Sequence, residues 1–67
     1  MEAYYIAVGW IESLPFGATF TRTELYIELR WRFAFAPRSK GEMNLAIHWC
    51  LGDSQIIAIA ADRWMKI

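Results

Sequence analysis

One cysteine, Cys50, stands in a chain of 67 residues, so no internal disulfide can form and the usual staple of small secreted domains is excluded. A reducing, cytoplasmic setting is expected. Histidine is equally scarce: His48 is the only one. No cluster of His, Cys and carboxylates has metal-ligand spacing, and no glycine-rich phosphate loop is present. On a helix His48 and Cys50 would point roughly 160° apart, which rules out a nucleophile–base pair between them. No catalytic residue, metal or cofactor is therefore expected, and the chain does not read as an enzyme. Neither charge sign dominates. Seven basic and seven acidic side chains give a formal net charge of zero, which argues against coating nucleic acid by charge alone. Long apolar runs are missing too: the stretch Ala3 to Ile11 falls far short of the ~20 residues that cross a bilayer, and Glu2 replaces the basic start of a signal peptide. No membrane association is expected. Repeats, linkers and low-complexity segments are absent, so residues 1–67 read as one domain.

What is abundant is apolar side chain. Hydrophobic residues make up 57% and aromatics 16%, more than a domain this small can hide, so some apolar surface should meet a partner. A homodimer is the simplest outlet, and Tyr4, Tyr5 and Val8 are its candidate interface. Charge is also unevenly placed. Between residues 21 and 40 stand Arg22, Arg30, Arg32, Arg38 and Lys40 against Glu24 and Glu28, so the middle of the chain is basic while both ends are mildly acidic.

Breakers at Pro15, Gly17, Pro37, Gly41 and Gly52 divide the chain into short elements. In the first, Ile6, Trp10 and Leu14 recur four apart with Ala3, Ala7 and Ile11 beside them, an apolar helical face that stops before Pro15. The second, "FTRTELYIELRWRFAFAP", has two readings. Taken by twos, Leu25, Ile27, Leu29, Trp31, Phe33 and Phe35 share one side, as in a half-buried strand. Taken by its ends, Thr21-x-x-Glu24 is a capping box, with Phe20 and Leu25 placed as a hydrophobic staple. A strand over 20–36 would be about three times the usual ~5–6 residues. The cap, the staple and a Glu28–Arg32 pair favour a helix from Thr21 to about Arg32. A third helix spans residues 39–51, entered through the capping box Ser39-x-x-Glu42 and closed by Gly52 at the C′ position. Ile56 to Ile59 and Arg63 to Ile67, either side of a turn at Ala61–Asp62, read as a small hairpin. The fold class expected is mainly α with a small β-hairpin; the alternative is an α+β domain with a long strand at 20–36.

Three helices and a hairpin, together with "WIESLPFGATFTRTEL" and the closing "DRWMKI", resemble the winged helix-turn-helix domains of small phage and prokaryotic regulators. The pattern "SLP-x-G-x-x-FT-x-x-EL" leads into the second helix, and Trp64-Met65-Lys66 stands where the wing ends. The resemblance implies that the third helix enters the major groove of double-stranded DNA. At ~100° per residue Lys40, Asn44 and His48 form one line on that helix, while Met43, Ala46 and Cys50 share the opposite face. Asn44 suits adenine, Lys40 guanine or phosphate, and neutral His48 can donate or accept. Ser39 at the helix entry and Arg30, Arg32, Arg38, Arg63 and Lys66 around it are the candidate backbone contacts. The solvated face of an amphipathic helix would show the same line.

Two functions follow. One is a sequence-specific DNA-binding regulator, phage or bacterial, acting as a homodimer. The other is a protein-binding module on the same frame, such as a phage inhibitor docked on a host defence complex. Neutral charge, Tyr4, Tyr5 and the apolar 31–37 loop, which begins at Trp31, favour the second.

Overall fold

A computed structural model describes residues 2–33 and 40–67. Its elements run α1 (Glu2–Glu12), β1 (Thr19–Thr21), α2 (Arg22–Phe33), α3 (Lys40–Gly52), β2 (Ile56–Ala60) and β3 (Arg63–Lys66). The strands form one antiparallel sheet in the order β1-β3-β2. The protein is thus a small α+β domain of three helices and a three-stranded sheet. The expected hairpin is present as β2 and β3, and it gains β1 as a third strand. The long strand at 20–36 does not form, because the chain turns helical at Arg22.

Local chemistry sets most of the boundaries. After α1, the Ser13 and Leu14 amides donate to the Gly9 and Ile11 carbonyls, and Pro15 can extend the helix no further. Pro15 to Ala18 then form a β-turn closed by the Ala18 amide on the Pro15 carbonyl at 3.1 Å. Gly17 fills its third position with φ of 84°, which a residue with a Cβ adopts only at a cost. At the start of α2, Thr21 Oγ1 accepts from the Glu24 amide at 3.1 Å and donates to Glu24 Oε1 at 3.3 Å. The cap therefore forms as the sequence predicts. Phe20 and Leu25, the two ends of the staple, are both buried.

The entry to α3 is different. Ser39 lies outside the described residues, and the Glu42 carboxylate accepts from the Tyr4 amide at 3.4 Å. Tyr4 belongs to the first turn of α1, where amides have no partner within the helix. Glu42 thus helps to cap α1 from the neighbouring helix.

The exit from α3 corrects the sequence reading. Gly52 is the last helical residue rather than C′, and the left-handed position falls on Ser54 with φ of 60°. The Gln55 amide reaches the Cys50 carbonyl at 3.0 Å and the Ser54 amide the Leu51 carbonyl at 3.2 Å. Those are the two bonds of a Schellman motif displaced two residues downstream of the glycine.

Burial follows the helical and strand periods. Ala3, Ala7 and Ile11 of α1, Leu25 and Leu29 of α2, and Met43, Ala46, Ile47 and Cys50 of α3 close on Phe20, Ile56 and Trp64 from the sheet. Alanines at Ala3, Ala7 and Ala46 let α1 approach α3, the most extensive helix contact of the domain. In the sheet, Phe20 stands opposite Trp64, which stands opposite Ala58. Trp10 meets Phe20 edge-on at 5.5 Å, and Phe20 lies against Trp64 at 5.6 Å. Among the described residues, no buried side-chain polar atom lacks a hydrogen-bond partner. Nor is any helix among them long and apolar enough to cross a membrane.

Candidate nucleic-acid interface

Position i, i+4 and i+8 of a helix lie in one row, and α2 and α3 each present such a row. On α3 it is Lys40, Asn44 and His48, all exposed, while Met43, Ala46, Ile47 and Cys50 face inward. The third helix thus divides as its sequence indicates. On α2 the row is Arg22, Tyr26 and Arg30. Arg22 Nε donates to Asn44 Oδ1 at 2.6 Å, and Lys40 Nζ sits over the Tyr26 ring at 5.3 Å. These cross-links hold the rows side by side and leave a cleft of about 300 Å³ lined by Arg22, Thr23, Tyr26, Lys40, Met43 and Asn44.

Arg22 is the centre of the arrangement. Besides Asn44, it donates through Nη1 to Asp62 Oδ1 at 2.8 Å, and its guanidinium lies 5.1 Å from the Trp64 ring centroid. Asp62 belongs to the short turn between β2 and β3, so one side chain ties the first residue of α2 to α3 and to the hairpin tip. Both partners of the ion pair are about half exposed, at 44% and 51%, so water screens it and its contribution to stability is small. Two cations, Arg22 and Lys40, line the cleft, Arg30 continues the row on α2, and Asp62 pairs with Arg22.

The other candidate residues are placed as follows. Arg30 is exposed on α2. Arg38 and Ser39, and the side chain of Arg32, lie outside the described residues. Arg63 reaches Thr19 Oγ1 at 3.5 Å and lies 3.9 Å from Glu24 Oε1, on the opposite side of the sheet from the Phe20–Trp64 stack. Lys66 donates to the Glu12 carbonyl at 3.1 Å, where a cation suits the last turn of α1. Arg63 and Lys66 are therefore engaged away from the two rows. Of the interface candidates, Tyr4 and Val8 pack against the core, Tyr5 is exposed and meets Tyr4 edge-on, and Trp31 is 88% exposed.

Cys50 adds no chemistry to the cleft. It is fully buried while His48 is exposed on the far side of α3. Burial, reinforced by the nearby charges of Glu12 and Asp53, pushes its thiol up to about 11, so it stays protonated at neutral pH.

Sequence reasoning missed Arg22, Tyr26 and Asp62. The first two carried a signal: the same four-residue spacing that marks Lys40, Asn44 and His48 also marks Arg22, Tyr26 and Arg30. Asp62 carried none, since only the fold brings residue 62 to residue 22. Compared with protein-family models, with curated proteins and with solved structures, the chain matches none.

Proposed function

We propose that this protein is a sequence-specific DNA-binding regulator with a winged helix-turn-helix architecture, of the kind phages and bacteria use. The observation that carries the reading is the cross-linked pair of polar rows on α2 and α3. Element order and the strand order β1-β3-β2 support it, and Asp62 in the β2–β3 turn bonds Arg22 at the start of α2. In this assignment α3 lies in the major groove, Asn44 and His48 read base edges, and Lys40 reaches guanine or phosphate. Arg22 and Arg30 contact phosphates, a role in which they replace Arg63 and Lys66. Arg32, Arg38 and Ser39 flank the same surface in sequence. Paired half-sites require a dimer, and Tyr5, 69% exposed on α1, is the anchor we assign to it.

A second reading has its own observation. Ile27 and Trp31, one helical turn apart on α2, are 57% and 88% exposed, an apolar stripe suited to docking on another protein. Selection of bound sequences from a random duplex pool separates the two. A regulator yields a consensus, and Asn44→Ala relaxes it at one position by about 1–3 kcal/mol while Trp31→Ala leaves it intact. Failure to enrich any sequence removes the regulator reading.

A further inference from the structure

The bonds of Arg22 raise a question that the DNA reading leaves open. A guanidinium offers five donors in a planar fork that fits the oxygens of a carboxylate or a phosphate equally well. Here two of the five are engaged within the protein: Nε on Asn44 and Nη1 on Asp62, with Trp64 beneath. Asn44, the main candidate for reading bases, is thereby held by the same residue. Asp62 is the element out of place for a surface that meets a polyanion, since a carboxylate aimed at the duplex repels it. Its position makes sense in another way. Its oxygen sits 2.8 Å from the arginine, at the distance a phosphate oxygen would take, beside a cleft that Lys40 also lines.

We propose that the Asp62 carboxylate stands in for a backbone phosphate, and that Arg22, which lines the cleft between α2 and α3, is a phosphodiester contact occupied by an internal anion in the free protein. This rests on the DNA reading. On binding, a phosphodiester oxygen takes over Arg22 Nη1. The Asp62 side chain, half exposed on a short turn, moves into water, and Arg22 stays stacked on Trp64. Nη1 of Arg22 keeps an anionic partner in both states, while the released Asp62 carboxylate is solvated by water. Its consequence is a lower affinity for DNA of any sequence, because part of the attraction of Arg22 is already spent on Asp62. The bare electrostatic contact of Arg22 is weakened. Asp62 thus acts as a built-in competitor that lowers affinity for DNA of every sequence, random sequence included.

The test is a double-mutant cycle with Asp62→Asn and Arg22→Met, read by fluorescence anisotropy on a random-sequence duplex at two salt concentrations. Asparagine keeps the size and one acceptor oxygen but removes the charge. Asp62→Asn is expected to tighten binding about three- to tenfold at low salt and to steepen the salt dependence by up to about one unit. In the Arg22→Met background the same change is expected to alter affinity by less than about twofold, since coupling between two contacting residues disappears when either is removed. Thermal unfolding and the near-ultraviolet signal of the aromatic side chains establish that each variant is folded, and Arg22→Gln replaces Arg22→Met if the latter is not. An Asp62→Asn protein that binds no better than the parent, or a gain that persists undiminished without Arg22, overturns the proposal and leaves the DNA reading standing. Absence of DNA binding in the parent and every variant overturns both.

Discussion

Replacing Gly52 by alanine should stabilise the protein, although a glycine after a helix usually resists that change. A C′ glycine occupies left-handed backbone, where a Cβ costs about 1–2 kcal/mol. In this structure the left-handed residue is Ser54, and Gly52 is the final residue of α3. A Cβ built on Gly52 meets nothing within 4 Å. Only helix propensity then remains, about 0.8–1 kcal/mol in favour of alanine within a helix, and about half that at its end. The converse change, Ser54→Gly, relieves the left-handed strain but adds freedom to the unfolded chain, for a net gain of about 0.5–1 kcal/mol. With an unfolding entropy of about 2.1 cal/mol/K per residue over 67 residues, Gly52→Ala raises Tm by about 3–4 °C and Ser54→Gly by about 4–7 °C. Differential scanning calorimetry of the two single variants reads both shifts. If Gly52→Ala lowers Tm, the left-handed residue is Gly52, the Schellman bonds from Ser54 and Gln55 do not form, and the register between α3 and β2 is wrong.

Further expectations concern the cap, the thiol and self-association. Thr21→Ala removes the acceptor for the Glu24 amide and should cost about 1 kcal/mol in urea unfolding, with Thr21→Ser close to neutral. Cys50, buried with its thiol at about 11, should resist Ellman's reagent at neutral pH until the protein unfolds. Because that value is raised from 9.0, the protonated thiol favours the folded state fully below pH 9, and this part of the stability should fade as pH rises through 11. A Cys50→Ala protein, less stable throughout, should lack that decline. Tyr5→Glu should convert a dimer to a monomer in light scattering with little change in Tm, since Tyr5 lies outside the core.

The helices were legible in the sequence because their ends are written in local chemistry. Thr21 and Glu24 are close enough along the chain to find each other before any tertiary structure exists, and Pro15 stops α1 by its own geometry. Those signals outweighed the alternation from Leu25 to Phe35, which is why α2 is a helix with an exposed stripe at Ile27 and Trp31. β1 was not legible. Its three residues, Thr19 to Thr21, show no period, and they are a strand only because Phe20 is drawn onto Trp64 and the flanking backbone pairs with β3. The end of α3 misled for a similar reason. Gly52 looks like a terminator standing after the helix, but it is the last helical residue, and the chain leaves α3 through Ser54 and Gln55, which lead Ile56 into the core. At the site, the row on α3 could be read from spacing, whereas the engagement of Lys66 with Glu12 and of Arg22 with Asp62 joins residues far apart in the chain.

The central claim, that the rows on α2 and α3 form a DNA-binding surface, is tested most directly by titrating the parent protein into a random-sequence duplex across a range of salt. Each phosphate neutralised contributes about 0.9 to the slope of log affinity against log salt. Three cations of the two rows, Arg22, Arg30 and Lys40, therefore give a slope of about −2 to −3, the lower figure applying while Asp62 competes for Arg22. Binding tighter than about 1 mM at low salt, with that slope, is the expected result. Binding no tighter than millimolar at the lowest salt, or an affinity indifferent to salt, would contradict it.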